Sequence, residues 1–123
     1  MTLIEAINRI NVLKPNTYSQ EEKVSWLSTI DGIIKKEIID THEGADDVVF
    51  NGYDEFTDLS TVLLVPEPYE DVYLRWLEAQ IDYANGEYAR YNNVMKAYNN
   101  AYSSYFRYYN KTHMPLGKKF KFF

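Results

Sequence analysis

A stripe of apolar and aromatic residues between Tyr69 and Asn110 constrains the fold of this chain more than any other feature. Its members recur at alternating steps of four and three residues: Leu77, Ile81, Ala84, Tyr88, Tyr91, Met95, Tyr98, Tyr102, Tyr105 and Tyr109. This spacing averages about 3.5 residues and indicates one side of an α-helix, whereas a strand would need a period of two. A continuous helix of this length would measure roughly 63 Å, about twice the width of a small domain. Such a helix must find partners outside a compact core or bend back on itself.

The pair Asn85-Gly86 lies in the middle of this stripe and could end a helix, because glycine costs about 1 kcal/mol relative to alanine in a helix interior. The stripe nevertheless keeps its phase across the glycine, and Gly86 faces away from it. We therefore predict one helix from Tyr69 to Asn110 that is at most kinked at Gly86.

Tyrosine is an unusual residue for a helical seam, since coiled coils prefer Leu, Ile and Val there. Its large ring and its hydroxyl suit contacts that are only partly dry. Three interpretations stay open: the rings cover other helices of the same chain, they form an interface between chains, or they stack on nucleic-acid bases, although such platforms are usually built on sheets. We expect helix packing or an interface for Tyr88, Tyr91, Tyr98, Tyr102 and Tyr105.

The first forty residues predict two shorter helices. Thr2 can cap the first helix, and Pro15 follows its end. Ser19 and Glu22 have the spacing of a capping box that opens a second helix, which should reach about Asp40. The apolar stripe of the first helix is Leu3, Ile4, Ile7 and Ile10, and that of the second is Val24, Trp26, Leu27, Ile30, Ile33, Ile34, Ile38 and Ile39.

The helical period disappears from residue 41 to residue 68. Asn51-Gly52, between two short apolar runs, is the commonest signal for a type I′ hairpin, and Thr61–Val65 reads as an extended segment lying on the core. Because an isolated hairpin is marginal in water, this insertion should either pack against the helices or project as a loop. Pro68 suits the first turn of the long helix.

The predicted fold is therefore mainly α, in a single helical domain over residues 1–123. It comprises two N-terminal helices, a long C-terminal tyrosine-rich helix, an irregular or hairpin-containing loop at 41–68 and an extended tail at 111–123. No apolar run approaches the 18 residues of a membrane span and the N-terminus lacks the basic region of a signal peptide, so we expect a soluble protein made in the cytoplasm.

Charge is strongly segregated along the chain. Residues 1–87 carry all 18 acidic residues and 6 basic ones, whereas residues 88–123 carry 7 basic residues and no acid, which together give the net charge of −5. A solvated acidic face beside a basic tail is the simplest interpretation. Opposite charge on two parts of one molecule also favours head-to-tail contact between copies, which can close into a ring.

The end of the chain interleaves lysine with phenylalanine. It is either a frayed terminus or a docking peptide that inserts into another protein. The residues in question are Lys118, Lys119, Phe120, Lys121, Phe122 and Phe123.

Few residues have the spacing that catalysis or metal binding requires. The chain has no cysteine, only two histidines and five scattered glycines, so it lacks a thiolate site, a nucleophile elbow and a phosphate-binding loop. The cluster of His42, Glu43, Asp46 and Asp47 matches neither an EF-hand nor an HExxH helix. We expect no enzyme, no cofactor and no metal site.

Six stretches of the chain carry a family resemblance: LIEAINR (3–9), KPNTY (14–18), Thr57-Asp58, LLVPEPY (63–69), WLEAQIDYANGEY (76–88) and YYNKTHMP (108–115). In these stretches the sequence resembles small proteins from the head-gene region of long-tailed bacteriophages and prophages of Gram-positive bacteria, a group similar to the head-tail connector (adaptor) proteins. The tyrosine seam is a departure from that pattern.

The resemblance implies a structural, non-catalytic helical subunit that forms a ring, typically of twelve copies, beneath the portal protein in the neck of the virion. Such a ring extends the channel for passing genomic DNA, without reading its sequence, and receives a stopper or tail-completion protein. Members grip the neighbouring ring with a terminal segment or a loop, for which the candidates here are residues 118–123 and 43–58. This places the protein in the virion after synthesis in the host cytoplasm, with no membrane partner.

A different class of protein remains as the alternative. The basic C-terminal half, with Arg90, Lys96 and Arg107 among aromatic residues, would suit a small helical regulatory module that dimerises through its long helix and binds nucleic acid. The net charge of −5 and the absence of a recognisable binding motif count against it.

Overall fold

Four α-helices form the architecture of the computed structural model, which describes residues 1–116. They are α1 (Leu3–Leu13), α2 (Gln20–Glu37), α3 (Asp71–Ala84) and α4 (Tyr88–Thr112). Two 3₁₀ turns, Ile39–Thr41 and Ala45–Asp47, follow α2, and no strand forms among the described residues, which have only two isolated β-bridges. The predicted mainly α fold is confirmed.

The two N-terminal helices begin where their capping residues predict. Thr2 Oγ1 accepts a hydrogen bond from Glu5 N, and the Glu5 side chain accepts one from Thr2 N, which completes a capping box. Ser19 Oγ accepts from Glu22 N at 3.1 Å and caps α2. α2 ends at Glu37, slightly before the predicted Asp40, and the chain continues as a 3₁₀ turn.

The prediction of one continuous helix from Tyr69 to Asn110 is wrong. α3 ends at Ala84, and Gly86 adopts a left-handed conformation with φ of 75°. Glu87 N donates to Asp82 O at 2.9 Å and Gly86 N donates to Tyr83 O at 3.0 Å, the two hydrogen bonds of a Schellman helix end. Each of the two helices buries its own apolar side against the other. An apolar stripe that keeps its phase across Gly86 therefore does not exclude a turn there.

α3 and α4 instead form an antiparallel hairpin. Ring centroids lie 4.8 Å apart for Tyr69 and Tyr108 at one end, and 5.2 Å apart for Tyr83 and Tyr91 at the other. Between them Trp76 packs on Tyr98 at 5.2 Å. The chain bends back on itself and covers most of its stripe within the domain, with α4 alone about 38 Å long.

The predicted hairpin at Asn51-Gly52 does not form. Residues 45–59 run along α2 from its C-terminal end towards its N-terminal end, with Tyr53 N donating to Ser28 Oγ at 2.9 Å. Gly52 has a positive φ of 86°, as a type I′ turn would require. The segment then bonds to the side chains of α2, because a two-stranded ribbon alone is marginal.

Residues 61–65 lie extended on the core, as predicted. Leu63 and Val65 are buried, Leu3 N donates to Thr61 O at 3.0 Å, and Leu63 N donates to Met1 O at 2.9 Å. Pro68 lies just before α3 instead of in its first turn, which contradicts the sequence prediction. The first turn of α3 contains Asp71.

Candidate interaction surfaces

A buried carboxylate, Asp31 of α2, organises the interior. Its Oδ1 accepts a hydrogen bond from the Tyr73 hydroxyl at 2.6 Å, and its Oδ2 accepts from the Tyr53 hydroxyl at 2.6 Å and from Leu64 N at 3.1 Å. The Tyr73 hydroxyl in turn accepts from Val65 N at 2.7 Å. This network ties α2, the loop, the extended segment and α3 together around one side chain.

Burial raises the pKa of Asp31, and its three hydrogen bonds oppose that shift. Burial beside this carboxylate also raises the pKa of Tyr73 and of Tyr53. Each polar atom of the network already has a partner, so the cluster stabilises the fold and offers no free group for catalysis.

Asp31 is not among the site residues that the sequence patterns predict, although the sequence contains a usable signal. Asp31 lies four residues after Leu27 and three before Ile34, which puts it within the apolar stripe of α2. A carboxylate at such a position must be paired or hydrogen-bonded when buried. Its partners Tyr53 and Tyr73 are not identifiable from spacing, because they come from distant parts of the chain.

Two further buried charges join α1 to its neighbours. The Lys23 ammonium donates to Asn11 Oδ1 and to Tyr18 O, both at 2.8 Å, and burial lowers its pKa. The Asp82 carboxylate of α3 pairs with Lys14, just after α1. Both contacts hold helix ends in place.

His42 is also buried, at 2% exposure, and both of its ring nitrogens are engaged. Nδ1 lies 2.6 Å from Ile38 O and Nε2 lies 2.6 Å from Asn110 Oδ1, so the ring links the end of α2 to α4. Phe106 and Tyr109 pack edge-on against it. Among residues 1–116 no group of three potential metal-ligating side chains comes together.

The tyrosines of α4 divide between the interior and the surface. Tyr98 and Tyr105 are buried, Tyr91 and Tyr102 are half-buried, and Tyr88 is 58% exposed. These rings meet α3 and α2, and the Tyr102 hydroxyl donates to Glu37 Oε1 at 2.7 Å. Burial raises the pKa of Tyr98, Tyr102 and Tyr105. An interface between chains through these residues stays a prediction, with most of the stripe already in contact within the chain.

The exposed side of α4, here called the basic face, has no carboxylate. It consists of Arg90, Asn92, Asn93, Lys96, Asn99, Asn100, Ser103, Arg107 and Lys111. Arg90 pairs with Glu87 just before the helix, while Lys96, Arg107 and Lys111 form no ion pair with any residue in the described part of the chain.

The loop on α2 presents the opposite charge. Its exposed carboxylates, here called the acidic face, are those of Asp46, Asp47, Asp54, Glu55 and Asp58. The loop contacts Ser28 of α2, whereas α4 contacts Glu37. These two positions are nine residues apart, which is about 180° around a helix. The part of the loop around Asp54 and α4 therefore lie on opposite sides of α2, whereas Asp46 and Asp47 lie at the end of α2 beside Leu116.

The chain after α4 returns to the end of α2. Glu43 N donates to Met114 O and Leu116 N donates to Thr41 O, both at 2.9 Å, which pairs residues 114–116 with residues 41–43. A groove of about 650 Å³ opens beside this pairing, between Asp40, the 3₁₀ turn at 45–47 and Leu116. The predicted docking residues Lys118, Lys119, Phe120, Lys121, Phe122 and Phe123 lie outside the described residues.

Comparisons with protein families, curated proteins and solved structures found no match to this chain. Within residues 1–116 no helix is both long and apolar enough to cross a membrane. The surfaces themselves, one basic and one acidic, are the features on which a function can be argued.

Proposed function

We propose that this chain is a structural subunit that assembles head to tail into a ring, and that the ring is a head-tail connector of a long-tailed bacteriophage. The observation that carries the proposal is the placement of the basic face and of the exposed acids Asp54, Glu55 and Asp58 on two sides of one small domain. When unlike charges lie on opposite sides of a subunit, the basic side of one copy attracts the acidic side of the next copy. This arrangement is a head-to-tail contact.

A two-fold dimer through either charged face would bring like charges together, because an isologous contact pairs a surface with itself. Lys96 would then approach Lys96 of the second copy, or Asp54 would approach Asp54. A heterologous contact instead places Lys96, Arg107 and Lys111 against Asp54, Glu55 and Asp58 of the next copy. Each exposed pair is weak, but a closed ring contains the contact many times.

The resemblance to connector proteins supplies the setting that charge alone does not. In that setting the ring of about twelve copies lies between the portal protein and the stopper or tail-completion protein, in the neck of the virion. Genomic DNA passes through it without sequence recognition. The segment 118–123 is the candidate for gripping the portal.

The test is the solution mass of the full chain by light scattering, alone and mixed with the portal ring from the same genome. We expect a monomer alone and a ring-sized increase on mixing, which should be lost in the variant Lys96→Glu/Arg107→Glu. The matched control is Arg9→Glu/Lys36→Glu, which changes the charge equally at exposed positions outside the basic face.

A second variant, which also reverses charges on the acidic side, makes the test specific for the head-to-tail contact. Adding Asp54→Lys/Asp58→Lys to the Lys96→Glu/Arg107→Glu variant should restore assembly, because both sides of each contact are then inverted. A stable dimer that ignores the portal, or assembly that survives the first reversal, would contradict the proposal.

The alternative is a helical module that binds nucleic acid, and the acid-free basic face is the observation that favours it. Lys and Arg on this face would contact phosphates, and binding would weaken steeply with salt. Its expected dimer seam, however, packs largely within the chain. A fluorescence anisotropy titration of duplex DNA at low and high salt separates the two, since the connector should bind free DNA only weakly.

A further inference from the structure

The groove beside the end of α2 lies where the described chain stops. Leu116 forms part of its wall, and the backbone bonds between residues 114–116 and 41–43 hold that wall in place. Seven residues follow, and they extend at most about 23–25 Å from Leu116. The opposite end of the α3–α4 hairpin is about 38 Å away along α4, so the segment reaches the groove but cannot reach that end.

The groove has unmatched negative charge. Asp40 pairs with Lys35, and Glu43 Oε1 accepts a hydrogen bond from Met114 N at 3.1 Å. Asp46 and Asp47 are exposed and form no ion pair with any other residue between 1 and 116. The chain that leaves Leu116 brings three lysines and no acid.

We propose that this groove is a docking site for the chain's own C-terminal segment, in which Lys118, Lys119 and Lys121 bind the carboxylates of Asp46 and Asp47. Single exposed ion pairs are weak in water. Here the two partners belong to one chain and are separated by a very short linker, so their effective concentration is high and weak pairs suffice. The exposed side chain of Leu116 and the half-buried Ala45 offer apolar surface to the interleaved phenylalanines. The contact forms within one chain, in the subunit that has not yet bound the portal, and does not depend on ring assembly.

The test uses the absence of cysteine from this sequence. Phe123→Cys gives a single attachment point for a nitroxide spin label, which broadens NMR signals of nearby amides. In the full-length ¹⁵N-labelled protein at low salt, we expect the amide signals of Gly44, Asp46 and Asp47 to lose most of their intensity relative to the reduced label. Ala84, at the far end of the hairpin, should keep its intensity. A second label at Phe120→Cys should give the same pattern if the first disturbs docking.

Two matched double variants test whether docking depends on the charges of Asp46 and Asp47. Asp46→Asn/Asp47→Asn should abolish the broadening, whereas Asp54→Asn/Asp58→Asn, with the same loss of charge away from the groove, should leave it unchanged. A mixed sample detects contact between copies. In it, one population of chains carries the spin label but no ¹⁵N, and the other carries ¹⁵N but no spin label. Broadening in that mixture, no broadening in the single sample, or broadening that survives neutralisation of the groove would each overturn the proposal.

Discussion

Replacing Asp31 tests whether one buried carboxylate organises the fold. The side chain accepts three hydrogen bonds, from two tyrosine hydroxyls and one backbone N–H, and is fully buried. In Asp31→Asn the amide oxygen can still accept from Tyr53 and Leu64, but its NH₂ then faces the Tyr73 hydroxyl. That hydroxyl loses its acceptor, and hydrogen bonds to charged groups contribute about 1.5–3 kcal/mol each.

We expect Asp31→Asn to lower the free energy of unfolding by about 1–3 kcal/mol. Asp31→Ala should lower it by about 3–5 kcal/mol, because one buried donor and two part-buried donors then have no acceptor. Urea unfolding followed by far-UV circular dichroism measures both. Tyr73→Phe is the matched variant, and the double variant Asp31→Asn/Tyr73→Phe should cost less than the sum of the single changes, because the two residues share one hydrogen bond.

The loss of unfolding free energy caused by Asp31→Asn should also depend on pH, in a defined direction. The pKa of Asp31 is raised in the folded state, from an ordinary value near 3.8, because burial disfavours the charged carboxylate. The folded protein therefore binds more protons than the unfolded protein between the two pKa values, and the contribution of Asp31 falls as pH rises through that window. The cost of Asp31→Asn should be larger below pH 3.8 than at neutral pH.

A cost below about 0.5 kcal/mol for Asp31→Asn, or a gain in stability, would refute this reasoning. It would mean that desolvation of the carboxylate outweighs its hydrogen bonds, as occurs in some buried ion pairs. A cost that grows with pH would mean that the pKa of Asp31 is lowered in the folded state, and would refute the raised pKa.

Two further pairs of variants test the helices by urea unfolding. Gly86→Ala should destabilise the protein by about 1–2 kcal/mol because the residue has a positive φ, whereas Gly32→Ala should be neutral or stabilise it by up to about 1 kcal/mol, since its Cβ would lie 3.7 Å from Phe50, an ordinary contact. Equal effects would contradict the left-handed turn. Tyr98→Ala should cost about 3–5 kcal/mol because the ring is buried, whereas Tyr88→Ala, at 58% exposure, should cost less than about 1 kcal/mol. A large loss at Tyr88 would place that ring in an interface or core contact.

The sequence alone determines much of the local structure. Thr2 and Ser19 mark the starts of α1 and α2, because a side-chain acceptor at that position satisfies a backbone N–H that the helix leaves free. The apolar spacing within each helix identifies its buried side, and the run at 61–65 indicates an extended segment on the core. These features depend on residues close together in the chain, and the structure confirms them.

Only the tertiary structure decided how these elements meet. The apolar stripe from Tyr69 to Asn110 has the same phase in a single helix and in two helices that bury their stripes against each other. The Schellman turn at Gly86 therefore reflects the free energy gained by packing α4 on α3. Gly52 adopts a positive φ but no hairpin forms, since Ser28 and Asp31 offered the loop better partners than a second strand. The Asp31 network joins residues up to 42 positions apart. Its partners follow from the packing of α2, α3 and the loop, which no local spacing encodes.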